Sequence, residues 1–427
     1  MEDNIRNLYK QGLYKEIVDI SRDSERVEFF NEWDYFYLLQ SFYHLKEYDE
    51  CLSLYKRLKK MNLDTAKYDS IMSWALFRSR ILKYDMDKGS MQEFLRLVDY
   101  GITHCGDGVY SAKNCLANAA VNAIYIGKAK NTINYELAYK YLRVINPREL
   151  SNEEYVTNIK GKELKVSSAR EKWYVRMTKT LEKLGRYREC LELVDEAFST
   201  VSTFHTDNDK WLLYRKSKCL YKLNRLDEAE DLLREILKSH KKWIVYELMF
   251  MINRDKGNPD EALHNIALAA LSDKGHDLRV TFYENAADYM YKSGMNHEAD
   301  LHAYLSVLIR RENGWKGNMY SGKDFGETIM QMNMDETVKE LTGFWESIKY
   351  KDISFVRGYI SNILPNQKSG FIKSYDGGIQ YYFQTRNFIN PVKQVRTDQI
   401  VEFIPGEQYD KKKERMSPVA TEIRIVR

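Results

Sequence analysis

The stretch Leu184–Phe198, LGRYRECLELVDEAF, sets a Gly-containing turn ahead of Tyr187, Cys190, Val194 and Ala197, which follow one another at steps of three and four. That spacing is one face of a helix that starts just after a tight turn. The layout returns in His44–Leu58 (HLKEYDECLSLYKRL), with Tyr48, Cys51, Tyr55 and Leu58, and in Lys222–Ile236 (KLNRLDEAEDLLREI), with Leu226, Ala229, Leu233 and Ile236. It appears again in Lys256–Leu271 (KGNPDEALHNIALAAL) and Lys292–Leu308 (KSGMNHEADLHAYLSVL). Equivalent turn residues fall at 185, 224, 257 and 294, so the period is 39, 33 and 37 residues. Ahead of each turn stand large apolar residues such as Tyr35, Leu38 and Phe42, or Tyr174, Met177 and Leu181. Behind it comes a small residue, Cys51, Cys190, Ala229, Ala262 or Ala299, where two helices can cross closely.

Self-similarity near a period of roughly 34 is the mark of tetratricopeptide repeats, and the chain resembles that family over residues 1–312. Roughly seven to nine helix pairs are expected, with an irregular stretch at 66–150 whose GITHCGDG reads as a loop. QGLYKEIVDIS at 11–21 reads as a capping pair and LAYKYLRVINP at 137–147 as a repeat end. One pair cannot bury its apolar face alone, so the resemblance implies a stacked right-handed superhelix with a concave groove for a protein partner. The sequence nominates no groove residue and leaves the oligomeric state open.

Residues 313–350 read as a loop and a connecting helix, after which the period changes to alternation punctuated by Gly, Pro and Asn. Within 351–427 the runs VRGYISNIL, SGFIKSY, IQYYFQ, QIVEFIP and ATEIRIV make five strands, the count of a small all-β OB barrel. Gly358-Tyr-Ile followed by Gly370-Phe371-Ile372, then GGIQYYFQ and SPVATEIRIV, resemble a cold-shock domain in order. The expected fold is therefore multidomain, an all-α helical-repeat superhelix followed by that barrel.

The cold-shock resemblance implies single-stranded RNA or DNA lying across aromatic side chains of the second and third strands. Ser369 stands where that family has one of its rings, and Asn362 and Ile363 replace an aromatic pair. Either Tyr382 and Gln384 or Tyr381 and Phe383 face outward, since a one-residue slip exchanges the faces; alignment with the family favours Tyr382 and Gln384. The nucleic-acid site is thus expected at Phe371, Lys373, Tyr382 and Gln384, with Lys368, Arg386 and Lys393 meeting phosphates. Lys411–Arg415 is a basic run between the last two strands that could lengthen the phosphate track. The bland alternative makes these rings barrel packing and the barrel a protein-binding module.

Charge supports the first reading. Residues 351–427 hold 13 Lys and Arg against 8 Asp and Glu, so their surplus of +5 exceeds the +4 of the whole 427-residue chain. A polyanion-binding module on a neutral body fits that division. The five cysteines form no Cys-x-x-Cys pair, and the eight histidines show no ligand spacing, so reduced thiols, no metal and no cofactor are expected. GNMYSGKD at 317–324 comes close to a phosphate-binding loop, but Asp324 replaces the Ser or Thr that ligates magnesium and no strand precedes it. No catalytic residue is nominated. A nuclease or nucleotide hydrolase with unrecognised residues is the enzyme alternative, and a pure protein scaffold the other. The polar start MEDNIRNLYK and the lack of a long apolar run lead to the expectation of a cytoplasmic protein with no membrane partner.

Overall fold

The computed structural model describes residues 2–61, 67–106, 111–126, 133–159, 161–272, 275–317, 319–389, 395–410 and 414–426. The chain divides into two compact units, Met1–Lys241 and Lys242–Arg427.

In the first unit helices alternate with short turns, among them Glu32–His44, Tyr48–Lys60, Ala169–Lys183, Tyr187–Thr200, Asn208–Lys222 and Leu226–Leu237. The turn that recurs in the sequence has one construction. Gly12, Lys46, Gly185 and Asn224 all take a left-handed backbone, with φ of 73°, 63°, 72° and 58°. The residue that follows donates its N–H to a carbonyl five positions back, as Arg186 does to Leu181 at 2.9 Å and Glu47 to Phe42 at 2.8 Å. This ends the first helix with its last carbonyls satisfied and turns the chain into the second. Gly257 and Gly294 repeat the device in the second unit. The small residue behind the turn is buried each time, and Cys51 and Cys190 set their thiols on the carbonyls of Leu39 (3.8 Å) and Thr178 (3.4 Å) in the preceding helix. Burial pushes the Cys51 thiol up to about 12, so it packs as a small apolar group.

Two expectations need correction here. Gly101–His104, read as loop, finish the helix Met91–His104; Gly101 is there because a Cβ would stand 2.9 Å from the Leu116 side chain of the helix packed against it. Cys105 and Gly106 follow that helix, and the last two residues of the supposed loop, Asp107 and Gly108, lie outside the described residues. The body also contains a β-hairpin absent from the sequence reading, β1 (Tyr155–Ile159) paired antiparallel with β2 (Lys162–Val166).

The second unit begins with the helices Trp243–Lys256, Pro259–Leu271, Val280–Lys292 and Asn296–Glu312. The helix Met334–Lys349 follows, opened by a capping box at Asn333. It docks through Trp345, whose buried indole N–H donates to Nε2 of the fully buried His302 at 3.0 Å. His302 is thus a packing residue of this unit.

The unit closes with β3 (Val356–Ile363), β4 (Ser369–Ser374), β5 (Gln380–Gln384), β6 (Ile400–Asp410) and β7 (Arg415–Ile425). They form a closed barrel in the order β3-β4-β5-β7-β6, in which only β5 and β7 run parallel. That is the OB arrangement. Alternation sends Ile360, Ile372, Phe383, Val401, Phe403, Ala420 and Ile423 inside. β6 and β7 are longer than their sequence runs suggest, and Arg415 belongs to β7 instead of to the intervening loop. Lys411–Lys413 lie outside the described residues. Tyr350 and Lys349 at the end of the preceding helix both reach Glu422 on β7, at 2.7 and 2.9 Å, tying the barrel to it.

Candidate nucleic-acid interface

The site grows from the strand phase. Phe383 points into the core, so its neighbours Tyr382 and Gln384 lie on the outer face, and Tyr381 packs inward against Phe403 at 4.9 Å between centroids. Phe371 lies directly across from Tyr382, and the two rings meet edge to face at 5.8 Å. Gln384 donates to the Tyr382 hydroxyl at 3.2 Å, which fixes that ring from the other side. Lys373, two positions after Phe371 on β4, is exposed on the same face opposite Gln380.

The loop from β3 to β4 explains the missing ring. Gln367 takes a left-handed turn (φ 56°), and Asn366 and Ser369 bond to each other through their side chains at 3.0–3.1 Å. Ser369 is thereby buried in the turn, its hydroxyl engaged by Asn366. The same turn presents Lys368, whose carbonyl accepts from Thr385 N–H at 2.9 Å, next to the short 3-10 turn that carries Arg386. Lys368, Lys373 and Arg386 have no carboxylate partner among the described residues. Arg424 and Lys349, on the other side of the barrel, are by contrast committed to Glu402 and Glu422. Lys393 lies outside the described residues.

Two rings of this face are absent from the expected set. β3 carries a bulge between Ile360 and Asn362, where Ser361 donates to the Phe371 carbonyl at 3.1 Å. The extra residue shifts the phase, so that Tyr359 and Asn362 share the outer face instead of Ile360 and Asn362. Tyr359 stands across from Lys373 and packs on Tyr375 at 5.7 Å, with Tyr375 half exposed. The outer face of β3, β4 and β5 thus carries four rings, Tyr375, Tyr359, Phe371 and Tyr382, around one lysine. The backbones beneath are close: a Cβ on Gly358 would meet the Lys373 carbonyl at 2.4 Å, and one on Gly370 the Asn362 carbonyl at 2.2 Å.

The phosphate-loop look-alike is otherwise occupied. Lys323 pairs with Asp300 at 2.9 Å and lies over the Tyr291 ring at 3.8 Å, while Asp324 caps Gly326. Among the described residues no three His, Cys, Asp or Glu side chains gather in metal-binding fashion, and no helix is long and apolar enough to cross a membrane.

Residues 210–323 match a family described as a domain of unknown function, DUF7017. The match covers the later helical repeats and stops short of the barrel. No curated protein matches the chain in sequence. Solved structures with some likeness include MamA from Desulfovibrio magneticus RS-1, at 15% identity and a TM-score of 0.33 over 49% of this chain and 98% of that one. The tetratricopeptide domain of P58(IPK) is similar at 12% identity and a TM-score of 0.27, covering 83% of this chain and 99% of that one. Human IFIT1, as a dimer with m7Gppp-AAAA, is similar at 12% identity and a TM-score of 0.26, covering 81% and 72%.

Proposed function

We propose that the chain is a non-enzymatic adaptor. Its helical repeats hold a protein partner, and its barrel, read as cold-shock-like, binds single-stranded RNA or DNA across β3, β4 and β5. The observation that carries this reading is the outer face itself, with four rings around Lys373 and with Lys368 and Arg386 on the adjoining turns, none of the three cations facing a carboxylate among the described residues. Bases stack on rings regardless of sequence, at roughly 1–3 kcal/mol each, and lysines follow the phosphates. A face meant only for barrel packing has no use for an exposed lysine among partly exposed rings. Two modest sites on one chain raise each other's effective concentration when partner and nucleic acid belong to one assembly.

The test is fluorescence anisotropy of the full chain with single-stranded oligonucleotides over a range of salt. Phe371→Ala and Tyr382→Ala should each weaken binding about 5- to 100-fold, the equivalent of about 1–3 kcal/mol. Affinity untouched in both variants, or no binding at low salt, would sink the nucleic-acid reading and leave the barrel a protein-binding module.

A further inference from the structure

The first unit holds a second arrangement suited to an anion. Lys172, Arg176, Lys179 and Lys183 follow at steps of four, three and four along Ala169–Lys183, a row of about 16 Å on one helix face. Beside it, the helix Lys113–Ile126 presents Asn118 and Asn122. Between Lys172 and Arg176 of that row and the two asparagines lies a cavity of about 420 Å³, lined also by Tyr155 of β1 and by Trp173.

Arg176 is half-buried at its edge. Its guanidinium donates to Asn122 Oδ1 at 2.6 Å and lies 5.4 Å from the centre of the Tyr125 ring, and no carboxylate meets it among the described residues. Burial holds Arg176 below the ordinary arginine range. Lys179 is likewise lowered, first by burial and then by Arg215 and Lys183. The carboxylate close by, Glu182, is already engaged by Arg215 (3.5 Å) and Lys218 (2.7 Å). A partly buried guanidinium that faces no carboxylate is a cation that an anion entering the cavity would satisfy.

The remaining lining selects the anion. A single carboxylate would leave most of the cavity empty, whereas its volume falls within the range that holds a small molecule. Asn118 has no protein partner among the described residues, and the half-exposed Tyr155 ring carries Lys172 at 5.3 Å on its face. A free amide and an exposed ring are what a base uses for its hydrogen-bonding edge and its π-face. We propose that this cavity binds a phosphorylated nucleotide, its phosphate at Arg176 and Lys172 and its base toward Asn118 and Tyr155. The site stands independently of the barrel.

Isothermal titration of the full chain with adenosine and uridine monophosphates tests it. Binding should fall at least tenfold in Arg176→Gln and in Lys172→Gln and several-fold in Asn118→Ala. Phe371→Ala and Tyr382→Ala should leave it unchanged, which separates this site from the barrel's. The Lys172 side chain makes no protein hydrogen bond among the described residues, so its variant reads the site even where Arg176→Gln unfolds. No binding of either monophosphate at millimolar concentration, binding unmoved by Lys172→Gln, or displacement of the nucleotide by an equimolar acidic peptide would overturn the assignment.

Discussion

At the scale of single residues, two positions carry sharp consequences. Gly370 lies beneath the site where a Cβ would overlap the Asn362 carbonyl at 2.2 Å and the Phe383 ring at 2.8 Å. A backbone carbonyl and a packed core ring cannot both yield, so Gly370→Ala should cost the second unit about 2–4 kcal/mol, read as a lowered urea midpoint. His302 makes a different kind of statement. Its Nδ1 faces the Glu298 carbonyl at 2.7 Å and its Nε2 accepts from Trp345, so the ring is held neutral, and burial lowers its pKa to about 4. A histidine depressed in the folded state takes up its proton more readily when unfolded, so stability is full above about pH 6.5 and declines toward pH 4. Urea unfolding of the second unit at pH 7 and pH 5 should show the loss, and His302→Gln, which keeps an acceptor for Trp345, should flatten it.

At the scale of elements, the repeat turn depends on a left-handed residue, and two of the six described here are not glycine. Lys46→Gly should stabilise the first unit by about 0.5–1 kcal/mol, because the left-handed backbone burdens a lysine and suits glycine; Lys46→Val should do the reverse. The hairpin β1–β2 is pinned through Glu154, which pairs with Lys165 and accepts from His205 Nε2 at 3.0 Å, while His205 Nδ1 faces the buried Glu171 at 2.8 Å. Both imidazole nitrogens thus address carboxylates, which raises the His205 pKa, first through Glu154 and then Glu171. A raised histidine contributes stability that is full below about pH 6.5 and vanishes as pH climbs through its folded value. Hydrogen exchange in residues 155–166, corrected for intrinsic rates, should accelerate above neutral pH. The repeats were legible because a turn, a small residue and an apolar stripe return together. The hairpin was not, since five-residue strands such as Tyr155–Ile159 offer too few alternations between helices. Tyr359 was missed for another reason: counting by twos from Asn362 puts Ile360 outward, and the bulge at Ser361 that reverses this leaves no mark in the residues themselves.

At the scale of the whole molecule, the two units answer protons in opposite ways. Moving from pH 8 to pH 5 strengthens the His205 contacts of the first and weakens the His302 site of the second. Tryptophan fluorescence during urea unfolding should resolve two transitions that shift oppositely with pH; one cooperative transition at every pH would contradict it. The DUF7017 match at 210–323 crosses from one unit into the other, so recurrence in sequence and compactness in space divide this chain at different places. That is natural where each helix pair leans mainly on its neighbours. The division of charge also belongs to this scale, and it was visible in the sequence, whereas the cation row of Ala169–Lys183 hides in a body of near-zero net charge.

The long arm of the barrel has a further implication. From Ile404 to Asp410, β6 pairs only with β7, beyond the last contact of β6 with β3 at Phe403. Outward of Val419, where β7 still pairs with β5, the two strands form a ribbon with open edges that invites a third strand from another chain, and Tyr409 and Met416 at its tip are exposed and apolar enough to welcome one. Pro405 and Pro418 withdraw an N–H from each strand, and Glu407 and Arg415 add charge. The arm is thereby kept from serving as a seed for self-association in a crowded cell.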